Sequence, residues 1–420
     1  MVRYAIVGAG QRGAGYAEWI GRQPGARVVA VAEPRAHQRE RLAREHGATQ
    51  VFSSWEELAA APRLADAAVV STQDAAHAGP AVALARKGYH LLVEKPLAPT
   101  PEECTELVDA VTEAGVLFAV CHVLRYRPYT RLVKQLVDDG RLGEIVSVQH
   151  LEPVGHWHYA HSYVRGNWRR TDEASFMLLA KSGHDIDWLR HIVGKPIERV
   201  SSFGSLRHFT AENAPAGSAD RCLDCAVEAT CPYSAPRLYL GMVRAGRTGW
   251  PVSVLADEVS EASVTTALRE GPYGRCVYRS DNDVVDHQVV AMEFAGGATA
   301  TFTMTAFTPH VDRRTQIFGT RGFLDGDGTR VRLHDFVTER TEVLETSNEG
   351  VDTEAGHAGG DAGLMAAFTR AVESGDASHI LSGPAESLES HLVVFAAERS
   401  RLLGTVEQIH EVGGWTRVPD

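Results

Sequence analysis

The sequence predicts an α/β protein that opens with a doubly wound parallel sheet. Three observations carry this. Apolar, strand-like runs alternate with helix-like stretches through the first third of the chain. The first of those runs ends in a glycine-rich turn. The length of 420 residues exceeds what one hydrophobic core supports, so a second domain must follow.

Tyr4–Val7 is the first strand, and it runs into Gly8-Ala9-Gly10-Gln11-Arg12-Gly13. Tyr16, Trp19 and Ile20 then recur at helix spacing. Arg27–Ala32 is a nearly continuous apolar run, as expected of a strand buried on both faces. Ala36–His46 reads as a helix and Gln50–Phe52 as a short strand. Ser53 or Ser54 caps the next helix by accepting a backbone N–H. Strand Ala67–Ser71, helix Ala78–Lys87, strand His90–Val93, helix Pro101–Ala114 and strand Val116–Val120 complete the alternation.

A lone Gly-x-Gly-x-x-Gly carries little information. Here it follows a strand, opens a helix, and precedes by about twenty residues an acid, Glu33, that ends the second strand. That is the context of a dinucleotide-binding fold. Gly8 makes the tight turn, Gly10 lets backbone approach a pyrophosphate, and Gly13 allows the helix to pack on the strand. The phosphates belong at the helix N-terminus, beside Gln11 and Arg12. Glu33 would accept the ribose hydroxyls and repel a 2′-phosphate, so NAD is the expected cofactor. Arg35 keeps NADP open, because an arginine there can accept that phosphate.

The bulk numbers exclude several classes. Hydrophobic residues at 44% and charged residues at 23% are those of a globular protein. A formal charge of −12 argues against a nucleic-acid partner. The longest apolar run, Val116–Leu124, contains Cys121 and His122 and is too short to span a bilayer. Met1-Val2-Arg3 leads straight into a strand without a signal-peptide pattern, and six cysteines do not make a disulfide scaffold, so the expected compartment is the cytoplasm.

Glu94-Lys95-Pro96 follows the fifth strand at its carboxyl end, the edge where open α/β sheets bind ligands. Pro96 confines Lys95 to extended backbone, and its ammonium can hydrogen-bond a reacting oxygen. The alternative is an ordinary loop lysine. With this motif go Ser71-Thr72-Gln73-Asp74 and His77, His122 with Arg125-Tyr126, Arg141–Ile145, Phe318–Gly322 and a hairpin around Gly296-Gly297. Together they resemble the glucose–fructose oxidoreductase/inositol dehydrogenase/rhizopine-catabolism (Gfo/Idh/MocA) family over nearly the whole chain.

The resemblance implies a Rossmann domain at 1–122 and an α/β domain with a large, mostly antiparallel sheet at 123–420. The second domain would bind substrate and make a homodimer or homotetramer through the exposed sheet face. Gly8, Gly10, Gln11, Arg12, Gly13, Glu33, Thr72, Gln73, His77, Glu94 and Lys95 would surround the cofactor. His122 and Arg125 would face the substrate.

In that family the lysine works with a histidine on a helix reading Asp-x-Gly-x-His-x-x-Asp. The matching stretch is Ala180-Lys181-Ser182-Gly183-His184-Asp185-Ile186-Asp187. His184 and Asp187 match, whereas Ala180 replaces the first acid. Lys181 is expected to occupy the vacated space, or else to pair with Asp185 at the surface. His184 is the candidate acceptor of a hydroxyl proton, since its unperturbed pKa suits that role; the alternative is a structural histidine.

Two further clusters stand out. His156, Trp157, His158, Tyr159, His161, Tyr163, Arg165, Trp168, Arg169 and Arg170 crowd aromatic and cationic groups into one segment. Such a segment suits stacking on sugar rings, with His156, His158, Arg165, Trp168, Arg169 and Lys181 as substrate contacts; a subunit interface is the alternative. Cys222-x-x-Cys225 with Cys231 reads as three ligands of a structural zinc, with Cys276 or His208 as the fourth, or as plain reduced thiols.

The expected activity is hydride transfer between a hydroxyl-bearing carbon of a sugar or cyclitol and NAD. An NAD-dependent glycosidase or lyase using transient ring oxidation, and a non-catalytic sugar sensor, are the rivals.

Overall fold

A computed structural model describes residues 1–346, 358–412 and 415–417. The strands β1 (Val2–Val7), β2 (Ala26–Ala32), β3 (Gln50–Phe52), β4 (Ala67–Val70), β5 (His90–Val93) and β6 (Phe118–Val120) form one parallel sheet in the order β3-β2-β1-β4-β5-β6. Between them lie α1 (Gln11–Gly21), α2 (Ala36–His46), α3 (Trp55–Ala60), α4 (Ala78–Arg86) and α5 (Pro101–Glu113). Ser54 is the cap of α3, its side chain accepting the Glu57 amide.

The central strands of this sheet are buried on both faces, which is why they are largely apolar. Ala5, Val7, Val70 and Leu91 meet Leu84 and Leu107 on one side, and Tyr4, Ile6, Val69 and Leu92 meet Tyr16 and Ile20 on the other. Neither layer is completed locally. Leu388 and Leu392 from α12 (Pro384–Leu403) finish the first, and Leu364, Met365 and Phe368 from α11 (Gly360–Ser374) finish the second. The glycine-rich stretch His357–Gly363 reads as a loop from its sequence. His357 lies outside the described residues, and from Gly360 the chain is already helical.

The second sheet has nine strands. They are β7 (Ile145–Pro153), β8 (Ile197–Ser205), β9 (His287–Phe294), β10 (Thr299–Thr305), β11 (Arg314–Gly319), β12 (Gly322–Gly326), β13 (Arg330–Asp335), β14 (Arg340–Glu345) and β15 (Glu407–Gln408). Their order is β14-β13-β12-β11-β7-β10-β9-β8-β15. Only the β7–β10 pair is parallel. β9 and β10 turn about Gly296 and Gly297, both in the left-handed region.

Alternation along these strands sends Val290, Met292, Phe302 and Met304 into the core with Trp188 and Leu189. The same alternation leaves Val146, Phe203, Val289 and Val343 exposed; Phe203 is 70% exposed. Phe203 pairs in register with Val289.

β8 and β9 are neighbours, yet residues 206–286 separate them. This insertion forms a cap of short turns with α9 (Gly241–Arg244) and α10 (Glu261–Glu270). It leans across to the parallel sheet: Gln11 Nε2 donates to Ser253 Oγ at 3.1 Å, and Gln38 Nε2 to Asp257 Oδ1 at 3.3 Å. Among the described residues, no helix is long and apolar enough to cross a membrane.

Candidate active site

The glycine turn has the shape of a phosphate cradle. Gly8 sits at φ +93°, and a Cβ there would lie 2.6 Å from the Ser71 carbonyl oxygen. A Cβ on Gly13 would overlap the carbonyl of Gly8. A Cβ on Gly10 would meet nothing nearer than the Arg35 guanidinium at 3.9 Å, so this backbone faces open cleft. No side chain caps α1 at Gly10, which leaves its first N–H groups for an anion. At the end of β2, Glu33 is buried and accepts from the Ala9 amide at 2.8 Å. Burial pushes its carboxyl up, but Arg35, whose Nε donates at 2.7 Å, holds it below the usual range.

Several expected cofactor contacts turn inward instead. Arg12 bonds Glu94, Tyr16 and Asp361, the last at 2.6 Å. Glu94 also accepts from the Tyr16 hydroxyl at 2.7 Å and from the Lys95 amide at 3.0 Å. The ring nitrogens of His77 lie 2.6 Å from the Pro96 carbonyl and 3.1 Å from that of Thr72. These three therefore brace the loops, because their polar atoms are already used. Thr72 donates its hydroxyl to the Ala76 carbonyl, and Gln73 is exposed.

Lys95 reaches across to the second domain, where its Nζ donates to the Ala180 carbonyl at 2.5 Å. Ala180 stands in a wide π-type turn, Leu178–Ser182, that runs into α8 (Gly183–Val193). His184 is on the first turn of α8 and is 5% exposed. Burial pushes the Lys95 ammonium below its ordinary pKa, partly offset by Glu94 and Asp74. Edge-on to His184, with ring centres 6.0 Å apart, lies His122. Burial drives its pKa down to about 3, so it is neutral.

Arg125, expected at the substrate, is consumed by structure. Its Nε and Nη2 donate to Asp187 at 2.8 and 2.7 Å, and Nη1 bonds the Leu381 carbonyl. Against the cost of burial, that fork holds the Asp187 carboxyl at about 2.

Residues 2–122 match the family described as oxidoreductase, NAD-binding Rossmann fold, and residues 134–401 match its C-terminal α/β domain. The chain belongs to the Gfo/Idh/MocA oxidoreductase family. Among curated relatives it is 29% identical over 204 residues to the 2,7-anhydro-N-acetylneuraminate hydratase of Escherichia coli (strain K12), covering 49% of this chain and 53% of that protein. It is 28% identical over 214 residues to the scyllo-inositol 2-dehydrogenase (NAD(+)) of Bacillus subtilis (strain 168), covering 49% and 58%. The chain thus spans about half the length of these relatives. Among solved structures, a levoglucosan dehydrogenase in complex with NADH and levoglucosan shares the fold, with TM-score 0.71, 18% identity, and 98% and 100% of the two chains covered.

In this Gfo/Idh/MocA protein the acid missing at position 180 is answered by a main-chain carbonyl. Lys181 does not form the alternative pair with Asp185; its Nζ lies 3.1 Å from Glu152 Oε1. Asp185 is fully buried and points to the sheet instead, 3.1 Å from His150 Nε2 and 2.5 Å from Arg313 Nε. A buried carboxylate needs a cationic partner, and Arg313, just before β11, supplies it.

The aromatic segment divides. His158 packs with Trp157, Tyr163, Trp250 and His310, within ring distances of 5.0 to 6.1 Å. Burial, then Lys181, pushes its pKa well down. His156 is held at the Thr308 carbonyl, and Trp168 donates to Asp74 at 3.4 Å. Arg169 forms ion pairs with Asp281 and Glu173 on the outside. Arg165 is 1% exposed, donating to the Arg275 and Tyr233 carbonyls at 2.8 Å each. Neither arginine is therefore available to a substrate in the cleft.

The zinc expected on Cys222, Cys225 and Cys231 finds no support in the comparisons. Among the described residues, no three His, Cys, Asp or Glu side chains stand at ion-coordinating spacing, and all six cysteines are free thiols. Sequence reasoning also missed several residues of this region. Trp250, His310, Glu152, Arg313 and Asp361 reach it from distant segments, and no motif marks them.

Proposed function

We propose that the chain is an NAD-dependent oxidoreductase acting on a hydroxyl-bearing carbon of a sugar, sugar derivative or cyclitol. The observation that carries this reading is the reach of Lys95 from the carboxyl edge of β5 to the turn that begins the His184 helix. It sets a cation beside the turn that leads into the helix carrying a candidate base.

When bound, NAD supplies the hydride chemistry. Gly8, Gly10 and Gly13 hold its pyrophosphate, and Glu33 takes the ribose hydroxyls, favouring NAD over NADP. Lys95, steadied by the Ala180 carbonyl, donates to the substrate oxygen and stabilises alkoxide character. His184 takes the hydroxyl proton. Trp157, Trp250 and His158 supply a wall for a sugar ring and exclude water, and Lys181, beside Glu152, bonds ring hydroxyls. Copies of the chain associate through the sheet face bearing Val146, Phe203 and Val289, and the protein works in the cytoplasm.

The test follows NADH absorbance and aglycone release together, with cyclitols, sugar acids and aryl glycosides, and NAD or NADP. Substrate-dependent NADH formation, with NAD preferred, is expected. A second reading draws on the relative named as an anhydrosugar hydratase: transient oxidation followed by elimination or addition, with no net redox change. Product without net NADH, lost when NAD is stripped, would establish that reading instead. No product of either kind across the panel, with NAD still binding, would leave a sensor.

A further inference from the structure

Part of the cap at 206–286 packs on the main core through Phe209, Tyr233, Val277, Tyr278 and Val284, and the rest has only a small core of its own. Its own apolar core consists of Cys222, Ala235, Tyr239, Leu240, Val252, Val264 and Leu268. Arg221 and Arg275 form an isolated bridge within the cap, and its ends are closed by Asp286, which accepts the Arg207 and His208 amides. A segment with so small a core is ordinarily stapled by disulfides or a metal. Its cysteines are thiols, so disulfides are not the staple.

Cys222, Cys225, Cys231 and Cys276 line one cavity of about 20 Å³, room for a single water-sized occupant. Cys222 and Cys225 are spaced as a metal-binding hairpin would have them. Cys276 arrives from the far end of the cap, beside the Arg221–Arg275 bridge. His208, the other possible fourth ligand, is drawn off to the Tyr278 hydroxyl at 3.2 Å and packs among Phe209, Tyr233 and Phe307.

Arg165 lines the same cavity and gives an independent signal. Its guanidinium is fully buried and always charged. Besides the two carbonyls, Nη2 lies 3.5 Å from Cys222 Sγ, while Nη1 has no hydrogen-bond partner. Among the described residues, no carboxylate pairs with it. A buried cation needs a counter-charge, and no carboxylate supplies one here. Four thiolates around one divalent cation carry a net double negative charge, which answers this.

We propose that Cys222, Cys225, Cys231 and Cys276 bind one thiophilic divalent cation, zinc by ligand preference, which staples the cap, with Arg165 as its buried counter-charge. The four cysteines line the cavity without converging to coordinating distance. A bound cation would take them as thiolates and draw the sulfurs inward. Because the cap touches the glycine turn at Gln11 and the aromatic wall at Trp250, the staple also supports the cleft.

The full chain, produced with zinc supplied and kept reduced, is tested by elemental analysis and by cobalt(II) exchange. About one zinc per chain and a thiolate-to-cobalt charge-transfer band with tetrahedral d–d absorption are expected. Cys276→Ser should weaken retention against a chelator at least about tenfold, whereas Cys104→Ser, in the Rossmann domain, should not. Less than about one-tenth of an ion per chain after reconstitution, or cobalt spectra without thiolate bands, overturns the proposal whatever the variants do. Neither readout depends on the enzyme's activity.

Discussion

His391, on α12, accepts the Leu97 amide at Nε2 (3.0 Å) and donates from Nδ1 to the Ser387 carbonyl (2.7 Å). That pairing fixes a neutral tautomer, because a proton on Nε2 would set N–H against N–H. Burial lowers its pKa to about 4 from an ordinary 6.5. With the folded value depressed, the unfolded chain takes up a proton below pH 6.5 that the folded chain refuses until about pH 4. The stabilisation is therefore whole above pH 6.5 and is lost as pH falls through that window. Linkage puts the loss between pH 8 and pH 5 at about 2 kcal/mol for this one side chain. His391→Gln keeps an acceptor and a donor but cannot titrate. Urea unfolding followed by tryptophan fluorescence at pH 8 and pH 5 should show the variant's drop in stability smaller than wild type's by about 2 kcal/mol. Equal drops in the two proteins would refute the reasoning. Wild type should remain acid-labile overall, since burial also holds His122 and His161 at about 3.

Two further outcomes follow. Lys95→Met removes the charge but keeps the stem, so turnover should fall by about 10²–10³-fold with NAD binding largely retained; unchanged kcat would remove Lys95 from the reaction. Phe203→Glu places a charge on the exposed sheet face, and light scattering should then report a smaller assembly; an unchanged mass would place the subunit contact elsewhere.

The parallel sheet was legible because its determinants are local. Strands buried on both faces are apolar runs, the glycine turn has a fixed spacing, and Ser54 sits where a cap must. The helix Ala36–His46 and the strands Gln50–Phe52 and His90–Val93 fall where periodicity put them. The second sheet was expected through family resemblance and the Gly296-Gly297 hairpin; half of its pairings, β7 with β10 and β11 and β8 with β9 and β15, join strands far apart in sequence, which local pattern does not reveal. At the site, residue type was legible but direction was not. Arg125, Arg165 and Arg169 all looked suited to a substrate. Each is instead spent on a partner that only the fold reveals: Asp187, the cap carbonyls with Cys222, and Asp281. The same holds for Lys181 and Asp185, which are one helical turn apart but lie where a π-type turn gives way to α-helix.

That distribution explains how Lys95 is held in place. Its segment, Glu94 to Leu97, is gripped from three distant parts of the chain. Glu94 is bonded by Arg12, which Asp361 of α11 holds in turn. Leu97 N–H is taken by His391 of α12, and Lys95 Nζ by the Ala180 carbonyl before α8. α11 and α12 also complete the two apolar layers of the parallel sheet. The elements that bury that sheet are thus the ones that aim the lysine, so the sheet cannot lose its cover without disordering the segment that carries the proposed chemistry. Destabilising substitutions on α12 that face Leu97 should therefore lower turnover before they abolish folding, because the lysine's support is lost first.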